Sequence, residues 1–272
     1  MVHQPYFPGF PLSQFVELFI YFEGVQHAHT VDRFLPNGDV EILIDFHEGP
    51  QYIYDNNSLE KIQACRHVWM SGIRTEPITI PSGANAAMMV VVFKKGMAAP
   101  FFPFPMNEIR DSVVDADLVW RSDFAEIRER MLETNIIDAR FRMMENFLVS
   151  KFVSKMEVNP CVAFAVAEMN ERPDAVSIAR MNQQIGYSQK HFTDIFRKSV
   201  GVNPKSYLKI MRFQKAVRTI GDSRDVDWGL IAENCGFYDQ AHFINDFKQF
   251  AGFTPEQYAR INTNYQNYIP VG

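Results

Sequence analysis

Hydrophobic and polar residues follow different periods before and after about residue 105. Before residue 105, short apolar runs are separated by turn-forming clusters such as Pro36-Asn37-Gly38, a pattern typical of strands joined by tight turns. Between residues 111 and 152 the apolar residues recur at three- and four-residue spacing, which predicts amphipathic helices. We therefore predict a β-rich region, 1–105, and a helical region, 106–158. The strand-like runs are 40–46, 51–54, 78–80 and 88–93.

Aromatic residues mark several candidate core positions in this part. Phe15, Phe19 and Phe22 have helical spacing, which predicts an early helix that packs into the core. Phe124 and Phe141 fall on predicted helices that either pair across a dimer or pack on their own domain. Three further rings either line a ligand pocket or fill the core, and core packing is the simpler interpretation. These rings are Phe101, Phe102 and Phe104.

The C-terminal part contains an internal repeat with an offset of 51 residues. Each copy predicts a helix, a tight turn at Gly186 or Gly236, and a second helix, and one extra residue precedes the second helix of the second copy. Ser188 and Asp239 are N-cap residue types at the starts of those second helices. The matched pairs are His191 with His242, Phe196 with Phe247, Gly201 with Gly252, Pro204 with Pro255 and Tyr207 with Tyr258.

The second helix of each copy has one apolar side and one polar side. The apolar positions are Phe192, Ile195 and Phe196 in the first copy and Phe243, Phe247 and Phe250 in the second. Two short helices joined by a glycine turn, with one polar side exposed, predict a helix-turn-helix unit. A continuous helix over residues 206–220 is predicted between the copies. It would act as a rigid spacer, since two recognition helices in successive major grooves must lie about 34 Å apart.

Charge is distributed unevenly along the chain. The net formal charge is −5, but residues 1–159 carry −7 and residues 160–272 carry +2. Residues 188–218 alone carry +7, whereas residues 221–262 carry −4. A local basic patch on an acidic protein indicates a phosphate-binding surface, although a solvated helix face gives the same pattern. We expect the first unit and the spacer to provide most of the affinity for DNA.

These residues, with Gly201-Val202-Asn203-Pro204 and Gly252-Phe253-Thr254-Pro255, make the stretch from about 176 to 260 resemble the DNA-binding domain of AraC-type transcription regulators. The resemblance implies two helix-turn-helix units on one face of DNA. Two positions depart from the family pattern: Asn182 replaces a small packing residue that Ala232 preserves, and Asn245 stands where arginine is frequent. We expect some loosening of the first unit.

The polar sides of the two recognition helices supply the candidate DNA-binding residues. Glutamine and asparagine can pair with adenine, lysine can donate to guanine, and a carboxylate can accept from cytosine. Asp194 is expected either to take a cytosine amine or to brace a neighbouring basic side chain. The candidates are Gln189, Lys190, Thr193, Asp194, Arg197 and Lys198 in the first unit and Gln240, His242, Asn245 and Lys248 in the second.

The N-terminal region resembles, by its arrangement, the effector or oligomerisation modules of AraC-type regulators, which are often cupin-like barrels followed by helices. The predicted class is α+β, with a β-rich, barrel-like domain and following helices over 1–158 and an all-α DNA-binding domain over 159–272. The predicted function is sequence-specific regulation of transcription. The expected partner is double-stranded DNA, and a small-molecule effector, RNA polymerase and a second copy of the chain are compatible further partners.

The competing class is an enzyme that carries the same DNA-binding domain, either a DNA-repair protein or a metal-binding protein. His27 and His29 with His47 or Glu41 would suit a metal, but surface histidines are the simpler interpretation. A repair protein would need clustered cysteines, and Cys65 stands alone in the N-terminal part. We therefore assign no catalytic, cofactor or metal residue. Three cysteines, and no apolar run of about 20 residues, predict a cytoplasmic protein with reduced thiols and no membrane span.

Overall fold

The computed structural model describes residues 2–24, 31–82, 87–221, 226–261 and 267–271. The strands are β1 (Val2–Tyr6), β2 (Val16–Glu23), β3 (Val31–Phe34), β4 (Glu41–Asp45), β5 (Gln51–Tyr54), β6 (Lys61–Cys65), β7 (Val68–Ser71), β8 (Ile78–Pro81), β9 (Ala87–Phe93), β10 (Val113–Asp115) and β11 (Tyr268–Val271). The helices are α1 (Asp117–Trp120), α2 (Asp123–Leu132), α3 (Ile137–Phe152), α4 (Pro160–Glu171), α5 (Ile178–Ile185), α6 (Gln189–Val200), α7 (Pro204–Gly221), α8 (Trp228–Asn234), α9 (Gln240–Ala251) and α10 (Pro255–Arg260).

The strands form two antiparallel sheets, which confirms a β-rich first domain. The first sheet has the order β1-β2-β9-β4-β7-β10 and the second has the order β11-β3-β8-β5-β6. Within the described ranges the two sheets stay separate, so the expected barrel-like closure is not formed. One edge strand, β1, contains Pro5, which has no amide hydrogen to donate. Beside this strand, Gln4 Nε2 donates to Asp138 Oδ1 of α3 at 2.8 Å.

Strand β9 is apolar along its whole length because both of its faces are covered. Met89, Val91 and Phe93 belong to the core beneath the helices, whereas Met88 and Val90 pack between the two sheets. A strand that is buried on both faces has no polar side to alternate with its apolar side. The first sheet is therefore the middle layer of the N-terminal domain.

The predicted early helix is wrong, since Phe19 and Phe22 lie on β2 and Phe15 directly precedes it. This segment forms a strand because it pairs with β9, where Phe19 lies opposite Val91. Phe15 and Phe19 are buried as expected, and Phe22 packs against the cluster between the sheets. The helical spacing of three aromatic residues does not by itself establish a helix, because β-propensity and pairing with a neighbouring strand favour the strand here.

The helices after the first sheet pack on their own domain. Phe124 and Phe141 are completely buried, and the ring centroid of Phe141 lies 5.0 Å from that of Tyr6. Phe101 and Phe102 are also buried, in agreement with the core interpretation, and Phe104 is partly buried against them. These aromatic side chains therefore build the core beneath the first sheet.

Two buried arginines fix the helices to the sheet. Arg128 of α2 donates from Nε to the carbonyl oxygen of Asp45 at 2.6 Å and from Nη2 to that of His47 at 3.1 Å. Arg140 of α3 donates from Nη1 to the hydroxyl of Tyr21 at 3.2 Å. Because a guanidinium cannot lose its charge in a protein, carbonyl and hydroxyl acceptors are what make its burial tolerable.

The C-terminal part is helical from α4 onward, with one unexpected element. The side chain of Asn159 caps α4 by accepting from the amides of Cys161 and Val162, and the predicted linker near 157–160 immediately precedes this helix. After α10 the chain returns to the N-terminal domain as β11, which pairs with β3. The two parts of the chain thus share a sheet as well as a core.

Candidate nucleic-acid interface

The first helix-turn-helix unit consists of α5, a turn at Gly186 and α6. Gly186 adopts a left-handed conformation with φ of 77°, which favours glycine because other residues are strained there. The hydroxyl of Ser188 accepts from the amide of His191 at 3.3 Å, as the sequence predicted for an N-cap. The turn and the cap together fix where α6 begins.

Helix α6 buries one side and exposes the other. Phe192 and Phe196 are completely buried, and the Phe196 ring lies 5.7 Å from that of Tyr207 on α7. On the other side, Thr193 and Asp194 are partly exposed. The remaining predicted contact residues of this unit are all exposed, namely Gln189, Lys190, Arg197 and Lys198.

Asp194 braces two cations on the exposed side of α6. Its Oδ1 lies 3.3 Å from Nη2 of Arg197 and its Oδ2 lies 2.7 Å from Nζ of Lys198. Hydrogen bonds from Lys198 and Arg197 hold the pKa of the Asp194 carboxyl below its usual range. Of the two roles expected for Asp194, bracing is therefore the one present in the free protein.

The second unit consists of α8, a turn at Gly236 and α9. The carboxylate of Asp239 caps α9 by accepting from the amide of His242 at 2.7 Å. The buried side of α9 carries the three predicted aromatic residues, with Phe243 and Phe247 fully buried and Phe250 nearly so. The Phe247 ring packs 5.0 Å from Phe213 of α7, so the second unit is also seated on the connecting helix.

The predicted contact residues of the second unit have different surroundings. Gln240, Asn245 and Lys248 are exposed. His242 is partly exposed, and its Nε2 lies 3.2 Å from Oδ2 of Asp246, which is itself 8% exposed. His242 is thus oriented toward its own helix in this structure, and the other three side chains extend from the surface.

Tyr238 is a surface residue that sequence reasoning missed. It is 92% exposed and lies directly before the N-cap of α9. The one-residue insertion in the second copy of the repeat falls at this point, and that insertion was the available signal. An exposed aromatic side chain beside a recognition helix can pack on a sugar or on a thymine methyl group.

The connecting helix α7 contains 18 residues and is about 27 Å long at 1.5 Å per residue. It extends the predicted spacer by two residues at its start and by one at its end. Every predicted packing position is buried, namely Tyr207, Leu208, Met211, Ala216, Val217 and Ile220. The hydroxyl of Tyr207 donates to Asn170 of α4 at 2.8 Å. The helix is therefore an interior element that carries both units.

Besides Arg197 and Lys198, three further basic residues of the patch have partners within the protein. Lys209 lies 2.9 Å from Asp246 and Lys215 lies 2.7 Å from Asp174. Arg212 donates from Nε to the carbonyl oxygen of Pro173 at 2.9 Å. Most of the positive charge that faces solvent is therefore on α6 and at the start of α7, at Lys190, Arg197, Lys198 and Lys205, and Arg218 is exposed near the end of α7.

Asn182 is the position at which the sequence predicts loosening of the first unit. Its Oδ1 is buried, and the structure gives it no hydrogen-bond partner among the described residues. Ala232, at the corresponding position of α8, is buried and has no polar side-chain atom. Burying an amide oxygen without a partner costs stability, so this position is less favourable than its counterpart in the second unit.

The other candidate sites have little structural support. His27 and His29 lie outside the described residues. Within the described ranges, His, Cys, Asp and Glu residues form no group of three that could hold a metal ion. The three cysteines are free thiols. None of the helices in the described part of the chain is long and apolar enough to span a bilayer.

Comparison with known proteins decides the nature of the C-terminal part. A family model described as a helix-turn-helix domain matches residues 181–261. The C-terminal part of the chain is an AraC-type helix-turn-helix domain. A second model, a domain of unknown function (DUF6597), matches residues 4–115, so the region before the AraC-type domain has a family of its own.

The curated relatives of the AraC-type domain are bacterial regulators. The uncharacterized HTH-type transcriptional regulator YisR of Bacillus subtilis is 28% identical over 88 residues, which are 32% of this chain and 30% of that protein. The HTH-type transcriptional regulator Rv1931c of Mycobacterium tuberculosis is 30% identical over 83 residues, which are 30% of this chain and 32% of that protein. The matched region spans about a third of the length of each relative. Neither name supports the enzyme alternative.

Two solved structures of transcription factors are similar to parts or most of this chain. ToxT from Vibrio cholerae has a TM-score of 0.46 at 12% identity, covering 89% of this chain and 97% of that one. The DNA-binding domain of AdpA, solved with a target DNA, has a TM-score of 0.34 at 23% identity, covering 36% of this chain and 88% of that one.

Proposed function

We propose that the chain is a sequence-specific DNA-binding regulator of transcription. The supporting observation is the pair of helix-turn-helix units, each with a side-chain N-cap on its second helix, mounted on one connecting helix. In this proposal α6 and α9 enter successive major grooves, whose centres lie about 34 Å apart. Free thiols at Cys65, Cys161 and Cys235 suit action in the cytoplasm, where cysteines stay reduced.

Exposure and chemistry assign the roles of the predicted residues. Gln189, Lys190 and Thr193 at the start of α6 read bases, and Gln240 and Asn245 do so on α9. His242 reads a base only if its ring turns away from Asp246. Contacts to the phosphate backbone are assigned to the basic side chains further along the two helices, which are Arg197, Lys198 and Lys248.

The two units contribute unequally to binding in this proposal. Most solvent-facing cations lie on α6 and at Lys205, with Arg218 exposed near the end of α7. Residues 221–262, in contrast, carry a net charge of −4. Because non-specific affinity comes from the neutralisation of phosphates, the first unit provides most of it. The second unit contributes register and a few base contacts.

The N-terminal domain is assigned a control role without catalysis. A cavity of about 290 Å³ lies where this domain meets α4, α7 and the last strand, and it provides room for a small polar effector. Its lining residues are Asn37, Asp39, Lys95, Asn170, Met211, Gln214, Arg218 and Asn267. A second copy of the chain and RNA polymerase are the further partners that a regulator of this organisation would use.

Selection of duplexes from a random pool tests the proposed function. The full chain should enrich a site with two half-sites, and binding should weaken steeply as salt is raised. Arg197→Ala and Lys198→Ala should each weaken binding to all sequences and reduce the salt slope by about one unit. An exposed lysine of the N-terminal domain, Lys61, provides the control, since Lys61→Ala should change neither quantity. Failure to enrich any site, or an unchanged slope in both α6 variants, would contradict the proposal.

A further inference from the structure

The last residues of the chain are built into the N-terminal domain. Strand β11 pairs antiparallel with β3, with Ile269 opposite Arg33. The amide of Leu35 donates to the carbonyl oxygen of Asn267 at 3.0 Å, and the Tyr268 ring lies 4.8 Å from that of Phe34. Ile269 is completely buried. The segment that follows the second helix-turn-helix unit is thus anchored on the opposite domain.

Arg33, on the strand paired with this tail, contacts the second unit directly. Its Nη1 lies so close to Gly252 that a Cβ added there would be 2.6 Å from it, and its guanidinium lies 4.9 Å from the Phe253 ring centre. Gly252 is the residue that ends α9. A cation at the C-terminal end of a helix is favoured by the partial negative charge of the last carbonyl groups.

A third contact joins the tail to the connecting helix. Gln214 of α7 donates from Nε2 to the carbonyl oxygen of Pro36 at 2.7 Å and to Oδ1 of Asn267 at 3.0 Å. Gln214 is itself buried. One amide group therefore links α7, the N-terminal domain and the tail, and a shift of any one of them strains the other two.

The first unit rests on the N-terminal domain in a comparable way. Gly201 ends α6 with φ of 101°, and a Cβ added there would lie 2.5 Å from Ile73 Cγ2 and 3.3 Å from the carbonyl oxygen of Met106. Both recognition helices are thus held at their C-terminal ends, α6 by Ile73 and Met106 and α9 by Arg33. Their N-terminal ends, which carry the base-reading candidates, face away from these contacts.

We propose that Arg33 and the tail strand β11 are positioning elements for DNA recognition, holding the second recognition helix in register with the first. The inference rests on the proposed function. The second unit carries a net charge of −4 over residues 221–262 and gains little from phosphate attraction. Its contribution therefore depends on being held in place before binding, because preorganisation removes the ordering cost.

The contacts of Arg33 leave one of its buried polar atoms without a hydrogen-bond partner among the described residues. Nε of Arg33 is buried and has no hydrogen-bond partner in the described part of the chain, while Nη2 donates to the carbonyl oxygen of Asn56. Burial also lowers the pKa of the Arg33 guanidinium. An incompletely satisfied buried charge weakens the contact that it makes, so the attachment of the second unit can open more easily than the apolar core around it.

The spacing between half-sites provides the test. Two variants are required: a chain truncated after Asn267, and Arg33→Gln in the full-length chain. Pro270→Ala is the matched control, since Pro270 is exposed on the same strand and has no amide hydrogen to lose. Binding is measured by anisotropy on the selected duplex and on duplexes with one base pair inserted or removed between the half-sites.

Wild type and Pro270→Ala should lose roughly tenfold or more in affinity when the spacing changes. The two positioning variants should bind the original duplex roughly threefold to tenfold more weakly and should distinguish the three spacings by less than about threefold. Arg33→Lys, which keeps the charge, should restore part of the discrimination. Unchanged spacing discrimination in both variants would overturn the inference, because the tail would then only cover a sheet edge.

Hydrogen exchange separates this inference from the proposed function, since it requires no DNA. Amides of α9 should exchange faster in both variants than in wild type, whereas those of α6 should be unchanged. Unchanged exchange in α9 would overturn the positioning role even if DNA binding were established. Failure of the wild type to select any duplex would instead refute the proposed function, and α9 exchange would still decide whether the tail restrains the second unit.

Discussion

The carboxylate of Asp194 holds two cations on the exposed side of α6. Its removal is not expected to weaken DNA binding, unlike the removal of most residues of a recognition surface. Asp194→Ala deletes a negative charge beside Arg197, 3.3 Å away, and Lys198, 2.7 Å away. Both cations then lose a carboxylate that competes with phosphate oxygens for them. We expect general affinity for DNA to be maintained or to rise, although the substitution removes a polar residue from the predicted recognition surface.

The magnitude follows from counterion release. Each additional phosphate neutralised by the protein steepens the dependence of log K on log salt by about 0.9. If the substitution adds one phosphate contact, the ratio of the DNA affinity of Asp194→Ala to that of wild type should fall as salt is raised. Over the fourfold range from about 50 to 200 mM salt, this ratio should fall by roughly 3.5-fold. Titration of the carboxyl should not intervene near neutral pH, since its hydrogen bonds to Lys198 and Arg197 hold its pKa below the usual range.

Fluorescence anisotropy with a labelled duplex, at three or more salt concentrations, measures this slope. Glu256→Ala is the matched control, because it removes an exposed carboxylate that pairs with Arg260 at 2.5 Å, also at i,i+4 spacing, away from α6. The control should leave the slope unchanged. Loss of affinity by Asp194→Ala at every salt concentration and on every sequence, with a loss of helical circular dichroism, would instead make Asp194 structural and refute this reasoning.

Three further outcomes are expected. Phe247→Ala removes a fully buried ring and should lower the free energy of unfolding by about 3–5 kcal/mol. Asn182→Ala removes a buried, unpartnered oxygen and should raise the free energy of unfolding by about 1 kcal/mol. Urea denaturation measures both changes. Burial, and secondly the negative charge of Asp39, raise the pKa of Glu41 to about 8. The folded protein therefore keeps a proton that the unfolded chain releases, so the free energy of unfolding should fall as pH rises from about 4.5 to 8. A Glu41→Gln variant should flatten that profile. Residues 159–272 alone should still prefer the selected site in gel-shift titration, with lower affinity than the full chain.

The two helix-turn-helix units could be predicted from the sequence because their signals are local. Ser188 and Asp239 cap the helices that their positions predicted, and the buried aromatic residues of α9 fall at the expected spacing. A repeat adds a second independent copy of every such signal. The connecting helix was predictable for the same reason, since its apolar positions follow one helical period.

The contacts between the two domains could not be predicted in this way. Strand β11 has four residues, one of them proline, and its partner β3 lies more than two hundred residues earlier. Lys209 pairs with Asp246, 37 residues away in sequence, and Lys215 pairs with Asp174 on another element. Counting charges therefore overstated the basic surface of α7. Long-range pairing depends on the tertiary fold, and hydrophobic periodicity carries no information about it.

The packing of the C-terminal end of α6 against Ile73 and Met106 has a consequence for genetic screens. A selection for altered promoter activity should recover substitutions at Ile73 and Met106, which lie outside the proposed DNA-contacting surface. Such changes move the end of a recognition helix through its packing and leave its base-reading side chains intact. Natural variation in this part of the N-terminal domain can therefore retune promoter choice while the recognition helices keep their sequence.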